Sequence, residues 1–294
     1  MGGETCNCTF RRAATARPAA RPPTLYARGM PHVQLGGVHL HYVQHGSGDD
    51  VLLLCGLGDD HTAWDAQVRS FVDRYRLTVV DNRGVGQSSL PDGPFGVADM
   101  AGDAAALLDH LGIGRAHVAG FSMGGAIAQE LALARPELIR SLTLVGTWAR
   151  GDRFVNAVFE GWAWMAGVAD DDRSFIEAFL PWCYAPAVYD DGRIDAIVEA
   201  MLANPHPQST EAFQRSARAI KEHDTLDRLG AIAAPTLVIA GEIDWCLPPR
   251  FSRQLAAGIP GARLVELAGR AHQPFQEAPE EFDALVEEFW RSVP

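Results

Sequence analysis

The chain has 294 residues, 47% of them hydrophobic, enough for one large domain with a sizeable core and room for an inserted subdomain. A net charge of −12, from 25 Lys and Arg against 37 Asp and Glu, argues against nucleic acid and anionic membrane as partners, because both demand a basic face. A small neutral or modestly charged ligand fits this balance. The five cysteines (Cys6, Cys8, Cys55, Cys183, Cys246) form no CxxC pair, so neither a metal centre nor a disulfide framework is expected, and a reducing cytoplasm is the expected compartment.

Residues 1–29 are rich in Arg, Ala and Pro, nearly free of acid, and lack the apolar stretch of a secretory signal. They read as a disordered tail without chemistry; a transit-like segment, or a start at Met30, are the alternatives. No apolar run approaches the roughly 18 residues needed to span a bilayer.

From Pro31 the pattern becomes regular. Two alternating segments, His32 to Leu35 and His39 to Gln44, joined through Gly36-Gly37, predict a β-hairpin. His32, His39, His41 and His45 on it read as surface residues and not as a metal cluster. The run Val51 to Cys55 is continuously apolar, as a strand buried on both faces requires. Leu77 to Val80, Ala116 to Phe121, Leu142 to Val145 and Thr236 to Ala240 share that character. Helical patterns separate most of them, including Met100 to Leu111 and Ala126 to Ala134, the latter stopped by Pro136. This alternation predicts a mostly parallel sheet flanked by helices. Between 148 and 227 the rhythm breaks into aromatic-rich helical patterns, read as an inserted helical cap. The core is then 30–147 and 228–294, ending in a strand at Ala262 to Leu267 and a helix at Pro279 to Trp290.

The strand Val118 to Phe121 runs directly into Ser122 and then into Met123-Gly124-Gly125 and a helix of small residues. A serine on so tight a strand-to-helix turn needs tiny neighbours, and Gly120 and Gly124 supply them. The turn lifts the hydroxyl out of the sheet and aims helix N-terminal N–H groups at developing negative charge. Gly120-Phe121-Ser122-Met123-Gly124-Gly125 with its flanks resembles the α/β-hydrolase superfamily over about Met30 to Val293. It is closest to the branch of 3-oxoadipate enol-lactonases, cofactor-free haloperoxidases and carbon–carbon bond hydrolases. The resemblance implies the α/β-hydrolase fold with an inserted helical cap, a small-molecule substrate and no cofactor.

A serine needs a base, and the base needs a carboxylate to hold its tautomer. In the family the order is Ser, acid, His. His272, in the loop after the final strand, is the expected base; His206 and His223 fall in the cap and are poorer candidates. Asp244, after the strand at Thr236, matches the family's acid, with Glu242 as fallback. Asp81, in Asp81-Asn82-Arg83-Gly84, resembles a family turn in which the carboxylate fixes the loop through backbone N–H groups.

The resemblance also implies an oxyanion hole from the backbone N–H groups of Leu57 and Met123. Here the loop opens with Cys55-Gly56 where many relatives have His-Gly; a backbone donor tolerates that change, and Cys55 reads as packing. The cap aromatics Trp162, Trp164 and Trp182 are candidates for the substrate pocket, which would suit an apolar or ring-containing substrate. The expected reaction is hydrolysis of a carboxylic ester or lactone through an acyl-enzyme. The same parts serve carbon–carbon or thioester cleavage; a haloperoxidase, lyase or cyclase step on this fold, or a binder without turnover, are the other readings. Ser122 speaks against epoxide hydrolases and haloalkane dehalogenases, whose nucleophile is Asp.

Overall fold

The computed structural model describes residues 32–35 and 37–294; the tail 1–29 lies outside them. Eight strands form one sheet: β1 (His32–Leu35), β2 (Val38–His45), β3 (Asp49–Leu54), β4 (Tyr75–Val80), β5 (Ala116–Phe121), β6 (Ile139–Val145), β7 (Thr236–Gly241) and β8 (Arg263–Leu267). Their spatial order is β1-β2-β4-β3-β5-β6-β7-β8. β2 is antiparallel to β1 and β4, and all later neighbours pair in parallel.

The helices are α1 (Asp65–Phe71), α2 (Val97–His110), α3 (Met123–Ala134), α4 (Arg153–Val168), α5 (Asp172–Phe179), α6 (Pro186–Asp190), α7 (Arg193–Leu202), α8 (Thr210–Lys221), α9 (Arg250–Gly258), α10 (Pro274–Glu277) and α11 (Pro279–Ser292). A parallel strand needs both faces covered, and β3 shows how. Leu52 and Leu54 join one core with Leu107 and Leu108 of α2 and Ile127 and Leu131 of α3. Val51 and Leu53 point the other way, into a core with Phe71 of α1 and Phe282, Val286 and Trp290 of α11.

After β3 the chain builds β4 on one side, then crosses to build β5 on the other. Loops leaving the carboxyl ends of β3 and β5 therefore diverge, opening a crevice there, where ligands bind in open α/β sheets. Those loops begin at Cys55 and Ser122.

Helices α4 to α8 all lie between β6 and β7. The chain enters and leaves this insertion as a pair, with Thr225 donating its N–H to the Ala149 carbonyl (2.9 Å) and Arg150 bridged to Asp224. Side-chain oxygens of Asp152, Asp171 and Ser209 accept the free N–H groups at the starts of α4, α5 and α8. Helix α4 buries Val155, Val158, Phe159 and Trp162, spaced i, i+3, i+4, i+7, as one inward stripe. Among the described residues no helix is long and apolar enough to cross a membrane.

The hairpin corrects one expectation. His32 and His39 are exposed and His45 half-buried, but His41 is wholly buried. β2 has strands on both sides and its faces are covered, so the polar residue in its alternation turns inward, where the Asp81 carboxylate meets it: His41 Nδ1 lies 2.8 Å from Asp81 Oδ2.

Candidate active site

Ser122 has φ +52°, and among the described residues it is the one non-glycine with positive φ. Such a conformation costs on the order of 1–3 kcal/mol and persists only where its surroundings enforce it. Two contacts do so: the Ser122 N–H donates to the Val145 carbonyl (2.9 Å), and Thr147 Oγ1 donates to the Ser122 carbonyl (2.8 Å). The flanking glycines are required by close approach, since a Cβ at Gly120 would collide with the Gly124 carbonyl and one at Gly124 with the Leu54 carbonyl.

His272 Nε2 lies 3.0 Å from Ser122 Oγ, and His272 Nδ1 lies 2.7 Å from Asp244 Oδ2. All three side chains are buried. The second Asp244 oxygen accepts the Leu247 N–H at 2.8 Å, which fixes the carboxylate. Glu242 is engaged elsewhere, accepting the Gly269 N–H at 2.9 Å. His223 is buried in the insertion, edge-on to Trp148, and burial holds its pKa down at about 4.

The loop bearing His272 is tied to the insertion. The His272 N–H donates to the Cys183 carbonyl (3.1 Å), and the buried Glu277 carboxylate accepts N–H groups from Ala271 and from Ala185. The Tyr184 hydroxyl reaches the side-chain oxygens of Gln273 and Gln276. Burial raises the Glu277 pKa, against the opposing pull of those two backbone N–H groups.

Asp81 stands apart from Ser122, His272 and Asp244. Its carboxylate accepts from the N–H groups of His61 (2.7 Å) and Gln87 (3.0 Å), as expected of a loop-fixing acid, and also from the Nδ1 atoms of His41 and His61 (2.8 Å each). Burial works against its charge, but the hydrogen bonds from His41 and His61 outweigh it and hold the carboxyl well below the usual carboxylate range. Cys55 is fully buried, its thiol bonded to the Asp60 carbonyl, and burial pushes its pKa well up, so it packs as a neutral thiol.

A narrow cavity opens at Ser122 and His272, walled by Leu57, Phe121, Trp162, Phe179 and Cys183, with Asp59 and Gln273 as its other polar members. Of the three tryptophans expected to line a pocket, Trp162 does so. Trp164 does not: it is 67% exposed, because it lies two residues past Trp162 and off the buried stripe of α4. Trp182 packs edge-on to Trp162 and is not part of the cavity wall. Met123 is the first residue of α3, directly after the serine. Asp59, Phe179 and Gln273 were not read from the sequence as site residues; an acid in a glycine-rich loop looks like any solvated loop charge.

Residues 50–167 match the family described as alpha/beta hydrolase fold. The chain is also 33% identical over 257 residues to a protein of Azorhizobium caulinodans named as a carbamate hydrolase, RutD, spanning 87% of this chain and 97% of that one. The chain belongs to the α/β-hydrolase family. A protein of Mycobacterium tuberculosis named as a non-heme bromoperoxidase, BpoC, is 31% identical over 265 residues, covering 87% of this chain and 99% of its own. Among solved structures of α/β-hydrolases, the enol-lactonase from Burkholderia xenovorans LB400 superposes with a TM-score of 0.80 at 29% identity, covering 89% of this chain and all of that one.

Proposed function

We propose that this α/β-hydrolase is a serine enzyme that cleaves a small carboxylic ester or lactone through an acyl-enzyme. The observation that carries the reading is the unbroken relay from Ser122 Oγ to His272 to Asp244, with contacts of 3.0 and 2.7 Å. His272 Nε2 takes the Ser122 proton as Oγ bonds to the carbonyl carbon, and Asp244 stabilises the imidazolium through Nδ1–H. The carbonyl oxygen becomes an oxyanion held by the backbone N–H groups of Leu57, on the cavity wall, and Met123, at the start of α3. As the carbon–oxygen bond to the alcohol breaks, His272 returns the proton to the leaving oxygen. Water, deprotonated by the same imidazole, attacks the acyl carbon; the product acid leaves and Ser122 regains its proton.

The enol-lactonase among the structural neighbours supports an ester-type bond, and the small apolar cavity supports a compact acyl group. The test is fluorophosphonate labelling of folded protein, with Ser122→Ala as control, followed by short p-nitrophenyl esters. Labelling lost in the variant, with ester turnover, is the expected result. Folded wild type that fails to label overturns the reading.

A further inference from the structure

Asp59 is used by no step above, yet it lies on the wall of the same cavity as Ser122 and His272. Its neighbour Asp60 is fully employed: one oxygen accepts from the Thr62 N–H and hydroxyl, the other from Asn204 Nδ2. The Asp59 carboxyl, by contrast, is half-buried and accepts no hydrogen bond from the described residues. Its Oδ2 occupies the space left by the missing side chain of Gly56, where a Cβ would approach it to 2.9 Å. A second unpartnered polar group belongs to the same wall: Trp162 is 4% exposed and its indole N–H has no acceptor. Among the described residues no Lys or Arg lines the cavity.

A buried polar group without a partner costs free energy that a ligand recovers by supplying one. An apolar pocket with a carboxyl and no cation therefore selects in two directions. It rewards a substrate that offers an N–H or O–H donor, and it penalises one that brings a second carboxylate into a space with no counter-charge.

We propose that Asp59 is the specificity-determining residue of this active site: it hydrogen-bonds an N–H or O–H donor on the acyl portion of the substrate and excludes substrates bearing a carboxylate there. This rests on the serine-hydrolase reading and deepens it. The acid sits in surroundings that make its charge state sensitive near neutrality. Burial, then the Asp60 carboxylate, push its pKa up to about 7, with His272 opposing. The other titratable groups that sense it are the Cys55 and Cys183 thiols and the Tyr184 phenol, all pushed well up by burial and neutral at pH 6–8, with Glu277 facing Cys183 from α10. Asp59 thus gains negative charge as pH rises from 6 to 8, and rejection of anionic substrates rises with it.

The test uses three near-isosteric methyl esters, compared as kcat/KM ratios so that pH effects common to all three cancel: methyl 3-hydroxypropanoate, methyl butanoate and monomethyl malonate. Wild type is expected to favour the hydroxyl ester over the butanoate by about tenfold or more, as expected of a site built around a polar partner. Its preference for butanoate over malonate is expected to grow several-fold from pH 6 to 8. Asp59→Asn keeps part of the hydroxyl preference but loses the pH trend; Asp59→Leu loses both. Fluorophosphonate labelling of Ser122 in each variant reports the triad separately. Labelled wild type that treats the three esters alike or turns over none, a pH trend retained in Asp59→Asn, or an equal loss toward all three esters in Asp59→Leu, overturns the proposal. Failure of folded wild type to label overturns the serine-hydrolase reading instead.

Discussion

Replacing Asp81 by Asn tests whether a buried carboxylate outside the reaction holds the active-site scaffold together. Four donors converge on it: two backbone N–H groups, from His61 and Gln87, and two imidazole Nδ1 atoms, from His41 and His61. An asparagine offers one acceptor oxygen, good for two of these, and turns an NH2 group toward the other two. Each buried donor left without an acceptor costs about 1–3 kcal/mol, so the loss is about 2–6 kcal/mol, a large part of the 5–15 kcal/mol typical of a whole domain. Urea unfolding at pH 7, followed by far-UV circular dichroism, reads this as a lowered midpoint at constant slope.

The pH dependence carries its own sign. Asp81 has a depressed pKa, so its stabilisation is present above the unfolded carboxylate value of about 3.9 and is lost as pH falls through the depressed one. Burial lowers the His61 pKa, but the bond to Asp81 outweighs it and leaves a net rise above 6.5; that stabilisation is full below 6.5 and is lost as pH rises through the raised value. The gap between wild type and variant is therefore widest between about pH 4 and 6.5. A midpoint shift worth under about 1 kcal/mol, or a gap that does not vary with pH, refutes the reasoning.

Oε1 of Glu277 accepts from both Ala185 and Ala271, and Oε2 from Ala271 again; Glu277→Gln turns an NH2 group toward the Ala271 N–H in place of one oxygen, so kcat for ester hydrolysis is expected to fall about tenfold as the loop carrying His272 loosens. Because the wild-type pKa is raised, wild-type stability declines as pH rises from 4.5 through the raised value; thermal melts of the Gln variant lack that decline. Trp162→Ala removes a cavity wall and should lower kcat/KM by about tenfold or more, whereas Trp164→Ser, at an exposed position, should leave it within about twofold in the same assay.

The strands and the nucleophile turn were legible because their signals are local. An apolar run, two glycines and a helix of small residues fall within a dozen positions around Ser122, and the strain at that serine follows from them. The surroundings of Asp81 were not legible, because they depend on β2 pairing antiparallel to β4, with Tyr42 opposite Val80, a register set by residues far apart in the chain. His41 consequently read as surface. Trp164 is a different kind of error. The stripe Val155, Val158, Phe159, Trp162 already specifies which side of α4 faces inward, and aromatic content alone does not. Asp59 had no sequence signature at all, since its meaning comes from what the fold leaves unpaired around it.

The backbone stitches between residues 183–185 and the His272 loop make one mechanical unit of two segments far apart in the chain. Residue 183, on the cavity wall, supplies the carbonyl that holds the His272 amide, and the N–H of Ala185 shares the Glu277 carboxylate with Ala271. The insertion is thus a splint as well as a wall: the part of it that shapes the cavity also sets where the His272 backbone lies.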